Sequence, residues 1–332
     1  MWFGNTVQKN SQNDVNNTLK SIMSNGIELS IEELLQYQNK TSLINLTAHH
    51  NVHGRMAGNY LARSKGRGME FDEVRHYQTG DDIRAIDWRV TARTGKTHTK
   101  LFREEIERPV LIATDLNCDM HFGSQLLFKS VQAAHLAALV AWHAKSRSDR
   151  IGGIVFNQSK HVELKPRSRK QGVLHYLHAL TTIYRNQQAS VSEPNDNQLS
   201  FEQNCARIRH LARPGSLVYL ITDGHNITDD AVRHLSRINQ HCELVVCLVT
   251  DPLEHQLPQS KYKYTVAITD GTNRQQLVLG DPQTASKYKQ LALKITEHQQ
   301  QVITKTGARI LTFSAGETLE NQLKNGAESW TR

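Results

Sequence analysis

Residues 109–123 read Pro109-Val-Leu-Ile-Ala-Thr-Asp115-Leu-Asn117-Cys-Asp119-Met-His-Phe-Gly123. The continuous run from Val110 to Thr114 fits a strand buried on both faces. Such runs belong to parallel sheets; half-exposed strands alternate apolar and polar residues instead. The run stops at an acid. A second run of the same kind, Ser216-Leu-Val-Tyr-Leu-Ile-Thr222, also stops at an acid, Asp223.

Working outward, strands are predicted at 151–156 and 160–164, paired as a hairpin, and at 242–249 and 308–313. A further hairpin, 264–268 with 276–279, turns at Asp270-Gly271. Helical periods fill 125–146, 170–184, 201–211, 229–239 and 288–302. Buried strands alternating with helices imply right-handed crossovers. The fold class is therefore α/β, a Rossmann-like and mostly parallel sheet with helices on both faces. Upstream, a helical period over 28–46 starts at Ser30-x-x-Glu33, a capping-box pairing. Residues 54–68 are glycine-bearing and basic, and read as a surface loop. The organisation expected is a loose arm at 1–26, an N-terminal helix with a charged segment at 27–108, the α/β domain at 109–315 and a C-terminal tail at 316–332.

The chain has 332 residues, 38% hydrophobic and 22% charged, which is a globular composition. Its formal charge of +8 favours acidic partners. Cys118, Cys205, Cys242 and Cys247 form no C-x-x-C pair and read as reduced thiols. No run approaches the roughly 18 apolar residues of a membrane helix, and the polar start lacks a signal-peptide core. Cytoplasmic residence is the expectation, with no membrane span. No G-x-S-x-G elbow or phosphate-binding loop is present. Basic clusters around Lys160–Lys170 and Arg55–Arg67 lack the series of interleaved aromatics that a stacking platform needs, so nucleic acid is not an expected partner. His49, His50 and His53, and the pair His175 and His178, complete no ligand spacing and read as surface.

Ligands of open α/β sheets sit beyond the carboxyl ends of the strands. Asp115 and Asp223 therefore mark the candidate site, and Asn117 and Asp119 follow the first of them closely. Their oxygens suit Mg²⁺ or Ca²⁺; the same groups also suit caps of the following helix and turn, with no metal. His121 and His225 are the nearby bases if the acids serve hydrolysis.

The most distinctive stretch lies at 66–105. Tyr77-x-x-Gly80 suits a turn with Gly at positive φ, and Asp81 is placed to cap a short helix through Ile86. Ile83, Ile86 and Trp88 make a small apolar cluster. Arg75, Arg84 and Arg93 are suited to pairing with Asp82, Asp87 and Glu105. Such a knot either fastens the segment to the α/β domain or meets a partner.

Fourteen positions of that window carry a resemblance: Gly68, Glu70, Phe71, Arg75, Tyr77, Gly80, Asp81, Asp82, Arg84, Ile86, Asp87, Trp88, Ala92 and Arg93. The string is similar to the hallmark of the family called domain of unknown function 58, in which it precedes a von Willebrand A-like domain. The strand-end layout resembles that fold as well. By this resemblance Asp115 takes the first position of a metal-ion-dependent adhesion site, Asn117 and Asp119 take its two Ser positions, and Asp223 takes the later Asp. The Thr of that site has no counterpart placed here, and both serines are missing, so the site is degenerate. The resemblance also implies a non-enzymatic adaptor working with a MoxR-type AAA+ ATPase in the assembly or maturation of client proteins. A Mg-dependent hydrolase and a basic nucleic-acid-binding module are the alternatives.

Overall fold

A computed structural model describes residues 14–44, 70–103, 108–190, 201–258, 260, 262–269 and 274–325. The chain divides into two compact units, Met1–Val52 with Pro109–Arg332, and His53–Arg108. In chain order the elements are α1 (14–21), α2 (Ile31–Leu35), β1 (Glu70–His76), α3 (Trp88–Thr94), β2 (His98–Arg103), β3 (Pro109–Asp115), α4 (Lys129–Ser146), β4 (Arg150–Phe156), β5 (His161–Arg167), α5 (Arg169–Ser190), α6 (Phe201–Leu211), β6 (Leu217–Thr222), α7 (Asp229–Asn239), β7 (Glu243–Thr250), α8 (Pro252–His255), β8 (Tyr264–Thr269), β9 (Arg274–Leu279), α9 (Pro282–Thr304), β10 (Arg309–Ser314) and α10 (Leu319–Asn325).

The larger unit is built on a six-stranded sheet in the order β10-β7-β6-β3-β4-β5. All neighbours are parallel except β4 and β5, the predicted hairpin. Counted by first appearance, the order is 3-2-1-4-5-6, which places the switch of direction at β3. This is the Rossmann-like, mostly parallel α/β sheet with helices on both faces expected from the sequence. Both faces are covered. Along β3, Val110 and Ile112 enter one core with α4 and α5, while Leu111 and Ala113 enter the other with α6 and α7. A strand with helices on both sides has no polar face, which is why 110–114 is an unbroken apolar run. The α4 helix is apolar all round because the sheet, α5 and the N-terminal segment enclose it.

Two boundaries differ from the sequence reading. Residues 28–44 belong with the α/β core and not with the charged segment. The Ser30–Glu33 capping box forms, but the helix it starts is only α2, followed by a 3-10 stretch at Gln36–Leu43. Leu34, Tyr37 and Ile44 are buried in the α4 core, and Trp142 Nε1 donates to Leu34 O at 3.2 Å. Hydrophobic burial at long sequence separation decided this, and periodicity cannot show it. Likewise 316–325 is not a tail: Leu319 and Leu323 of α10 enter the same core, and Lys40 Nζ reaches Glu320 at 2.5 Å.

The smaller unit has an antiparallel pair, β1 with β2, and α3 between them. Asp81 N–H closes a turn onto Gln78 O, with Gly80 at φ +105 as the sequence required. The capping assignment is corrected by one residue. Asp82 caps the 3-10 turn Ile83–Ala85 through Arg84 N–H, while Asp81 accepts from Gln78 N–H and from Arg75 at 2.6 Å. Asp87 caps α3 by accepting from Arg89 and Val90 N–H, with Lys100 3.8 Å away. The expected apolar cluster does not close: Ile83 is 66% and Trp88 67% exposed. Glu105, the basic stretch 54–68, the histidines 49–53 and the Asp270-Gly271 turn lie outside the described residues.

Candidate functional site at the strand ends

Three neighbouring strands, β3, β6 and β7, end in acids: Asp115, Asp223 and Asp251. All three are buried. Each is then committed to specific donors.

Asp115 Oδ1 accepts from Asn117 N–H at 3.0 Å, and Oδ2 from the Thr222 hydroxyl at 2.8 Å. Burial, then the nearby Asp223 carboxylate, lifts the Asp115 carboxyl to about 7, against the pull of those two donors. Asp119 Oδ2 accepts from Asn226 Nδ2 at 3.1 Å. Asp223 Oδ1 accepts from His225 N–H at 3.1 Å. Gly224 makes that turn by taking φ +79. The remaining oxygen, Asp223 Oδ2, faces the ammonium of Lys129 at 3.1 Å. Asp251 holds Ser124 through its N–H and hydroxyl and starts α8 with a capping box completed by Glu254.

Lys129 is the residue that the sequence reading missed. It sits at the first position of α4, and only 2% of its surface is exposed. Its ammonium bridges Asp223 and Glu254, the latter at 2.6 Å. Burial pulls its pKa down, but the two carboxylates outweigh burial and leave it above the ordinary lysine value. Burial pushes Glu254 upward; His225 and Lys129 overcome this and hold it at about 2. Glu254 in turn raises the His225 imidazole, whose Nε2 lies 3.7 Å from Glu254 Oε1. His225 Nδ1 meets Gln299 Nε2 of α9 at 2.9 Å. One signal for this set was present in the sequence: Asp251-Pro-Leu-Glu254 is a capping-box spacing directly after a buried strand. Lys129 carried none, because only the fold reveals that its helix start is buried.

The four predicted residues thus reach one end of the sheet, where, after burial, the Asp223 and Asp119 carboxylates both raise the Asp115 pKa. Among the described residues, no group of three His, Cys, Asp or Glu side chains gathers as a metal ion requires. Asn117 is buried, and its Oδ1 has no hydrogen-bond partner among them. Of the two histidines, His225 is tied to Glu254 and Gln299, while His121 stacks on Tyr184 at 4.9 Å, with burial lowering its pKa and both ring nitrogens without a hydrogen-bond partner among the described residues.

Residues 73–301, more than half of the chain, match the family described as Protein of unknown function DUF58. The chain belongs to that family. The chain is 26% identical over 215 residues to uncharacterized protein Rv1480 of Mycobacterium tuberculosis (strain H37Rv) and equally to uncharacterized protein Mb1516 of Mycobacterium bovis. Each match spans 65% of this chain and 65% of the relative, so about a third of each relative's length is not covered. Solved structures similar to this DUF58 chain include conserved hypothetical protein BatB from Bacteroides thetaiotaomicron, at 13% identity and TM-score 0.42, covering 68% of this chain and 97% of that one. An aerotolerance-related membrane protein from Bacteroides fragilis is 14% identical, with TM-score 0.39 and coverage of 68% and 98%. A von Willebrand factor type A protein from Catenulispora acidiphila is 12% identical, with TM-score 0.33 and coverage of 63% and 44%. Among the described residues of this chain, no helix is long and apolar enough to cross a membrane.

Proposed function

We propose that this protein is a non-enzymatic adaptor of the cytoplasm, which binds protein partners and works with a MoxR-type AAA+ ATPase in the assembly or maturation of clients. The observation that carries the reading is an apolar surface left uncovered on α9. Leu291 is 60% and Ile295 54% exposed, and they lie one helical turn apart on one face. Lys287 and Lys294 flank them on that face and are exposed. Leu293 and, on the adjoining hairpin, Tyr262 and Tyr264 are exposed as well. Contiguous apolar groups rimmed by charge mark protein-binding surfaces, and the lysines select an acidic partner. The strand-end acids argue in the same direction, since Asp115, Asp223 and Asp251 are buried and each is held by internal donors.

Size-exclusion chromatography and calorimetry of the full chain with a MoxR-type ATPase from the same genome test this reading. A saturable complex in at least one nucleotide state, weakened tenfold or more by Leu291→Asp with Ile295→Asp, a loss of about 1.4 kcal/mol or more, is the expected result. Absence of a complex with and without ATP, or hydrolytic activity lost in Asp115→Ala, would overturn it.

A further inference from the structure

We infer that the Lys129 ammonium is the resident cation of the strand-end crevice, standing in the role a divalent ion has in adhesion-type α/β domains, and that this chain holds neither Mg²⁺ nor Ca²⁺ there. The first ground is position. Lys129 Nζ lies between a carboxylate from the β6 end, Asp223 at 3.1 Å, and one from the β7 end, Glu254 at 2.6 Å. A cation holding these strand ends together would contact the same two side chains.

The second ground is burial. Lys129 and Asp223 are 2% and 3% exposed. An ammonium is taken out of water at such a cost only where paired carboxylates replace its hydration. Here it has two of them.

The third ground is the state of the other donors. Asp115 is occupied by Asn117 N–H and Thr222, and Asp119 by Asn226. A divalent ion entering beside Asp223 would have to displace these bonds while sitting within a few ångströms of a fixed positive charge. The Asn117 Oδ1 that lacks a partner supplies one neutral oxygen. Mg²⁺ requires six ligands and Ca²⁺ six to eight.

The consequence concerns how this end of the sheet works. An adhesion site of the metal type is completed by a partner's carboxylate on the ion. Two carboxylates take two of the ammonium's three N–H donors, and burial of Lys129 to 2% exposure keeps a partner's carboxylate from reaching it. The Lys129 group instead joins the start of α4, the β6–α7 loop and α8, and through His225 and Gln299 it reaches α9. It fixes the crevice closed, and any docking on this domain is independent of divalent ions. This inference does not depend on the identity of the partner and survives if the ATPase does not bind.

The test is a titration of MgCl₂ and CaCl₂ into chelator-treated full-length protein, by calorimetry and thermal shift, on the wild type and on Lys129→Ala, with NaCl of equal ionic strength as control. The wild type is expected to give no saturable heat and no specific shift in Tm. Lys129→Ala removes the ammonium and leaves Asp223 facing Glu254; its Tm falls, and Mg²⁺ or Ca²⁺ recovers part of the loss where NaCl does not. One-site binding to the wild type that Asp223→Asn abolishes would overturn the inference. So would a folded Lys129→Ala protein that gains nothing from either ion. Should Lys129→Ala not fold, the wild-type titration with Asp223→Asn decides alone.

Discussion

The two acid-rich regions of this chain use their carboxylates in opposite ways. In the segment 70–103 the acids act locally: Asp82 and Asp87 cap the turns directly after them, and Asp81 takes Arg75 six residues away. At the strand ends the acids act across the fold, since Asp223 is held by Lys129 and Asp251 by Ser124, 94 and 127 residues apart. The first set stands partly in water and leaves Ile83 and Trp88 uncovered. The second is out of water and closed. The lesson is that an acid count says little about a cation site; what matters is whether the lone pairs are already occupied, and by which donors.

The difference can be tested from its strong side to its weak side. The largest effect is expected at the buried pair. Lys129→Met leaves Asp223 buried without its counter-charge and costs about 3–5 kcal/mol of stability, measured by urea unfolding. A cost below about 1 kcal/mol would mean that the pair is open to water.

Asp115→Asn comes next, and its sign is opposite. The carboxyl sits at about 7 in the folded protein against an ordinary 3.8. Between these values the folded state holds more protons than the unfolded one, so stability falls as pH rises from about 4 to about 7. The amide retains an acceptor for Asn117 N–H and donates to a reoriented Thr222 hydroxyl. Removing the titration is expected to flatten this slope and to raise stability at pH 8 by about 1–3 kcal/mol. Urea midpoints at pH 5 and pH 8 read it; a larger deficit at pH 8 than at pH 5 would show that Asp115 is ionised in the fold without penalty.

Asp87→Ala belongs to the local region. It frees the Arg89 and Val90 N–H groups, so hydrogen exchange at α3 should accelerate while β3 and β6 stay unchanged. An equal acceleration on both would mean that the two regions unfold together. The smallest effect is expected for Trp88→Ser, within about 0.5 kcal/mol, because an exposed ring contributes little to folding. A loss above about 2 kcal/mol would mean that the ring is covered in solution.

The legibility of the molecule followed the same division. Strands and helices of the α/β unit were readable because burial on two faces makes continuous apolar runs, as at 110–114 and 216–222. The Ser30 capping box and the positive φ of Gly80 were readable because both are settled within a few residues. The docking of 28–44 onto α4 and the burial of α10 were not, because neither leaves a local mark. Asp115 and Asp223 were found through their places after strands, and Asn117 and Asp119 through the resemblance of 115–119 to an adhesion-site motif. Lys129 was missed: in sequence it is one of 40 basic residues, and its importance depends on Asp223 and Glu254 arriving from strands placed far along the chain.

The central claim, that Lys129 neutralises Asp223 at the strand ends, is tested most directly by a double-mutant cycle on stability. Lys129→Met and Asp223→Asn are measured singly and together by urea unfolding. If the ammonium and the carboxylate offset each other, the double variant regains stability over Lys129→Met by about 2 kcal/mol or more. Losses that simply add would contradict the claim, because two side chains that do not hold one another have nothing to recover.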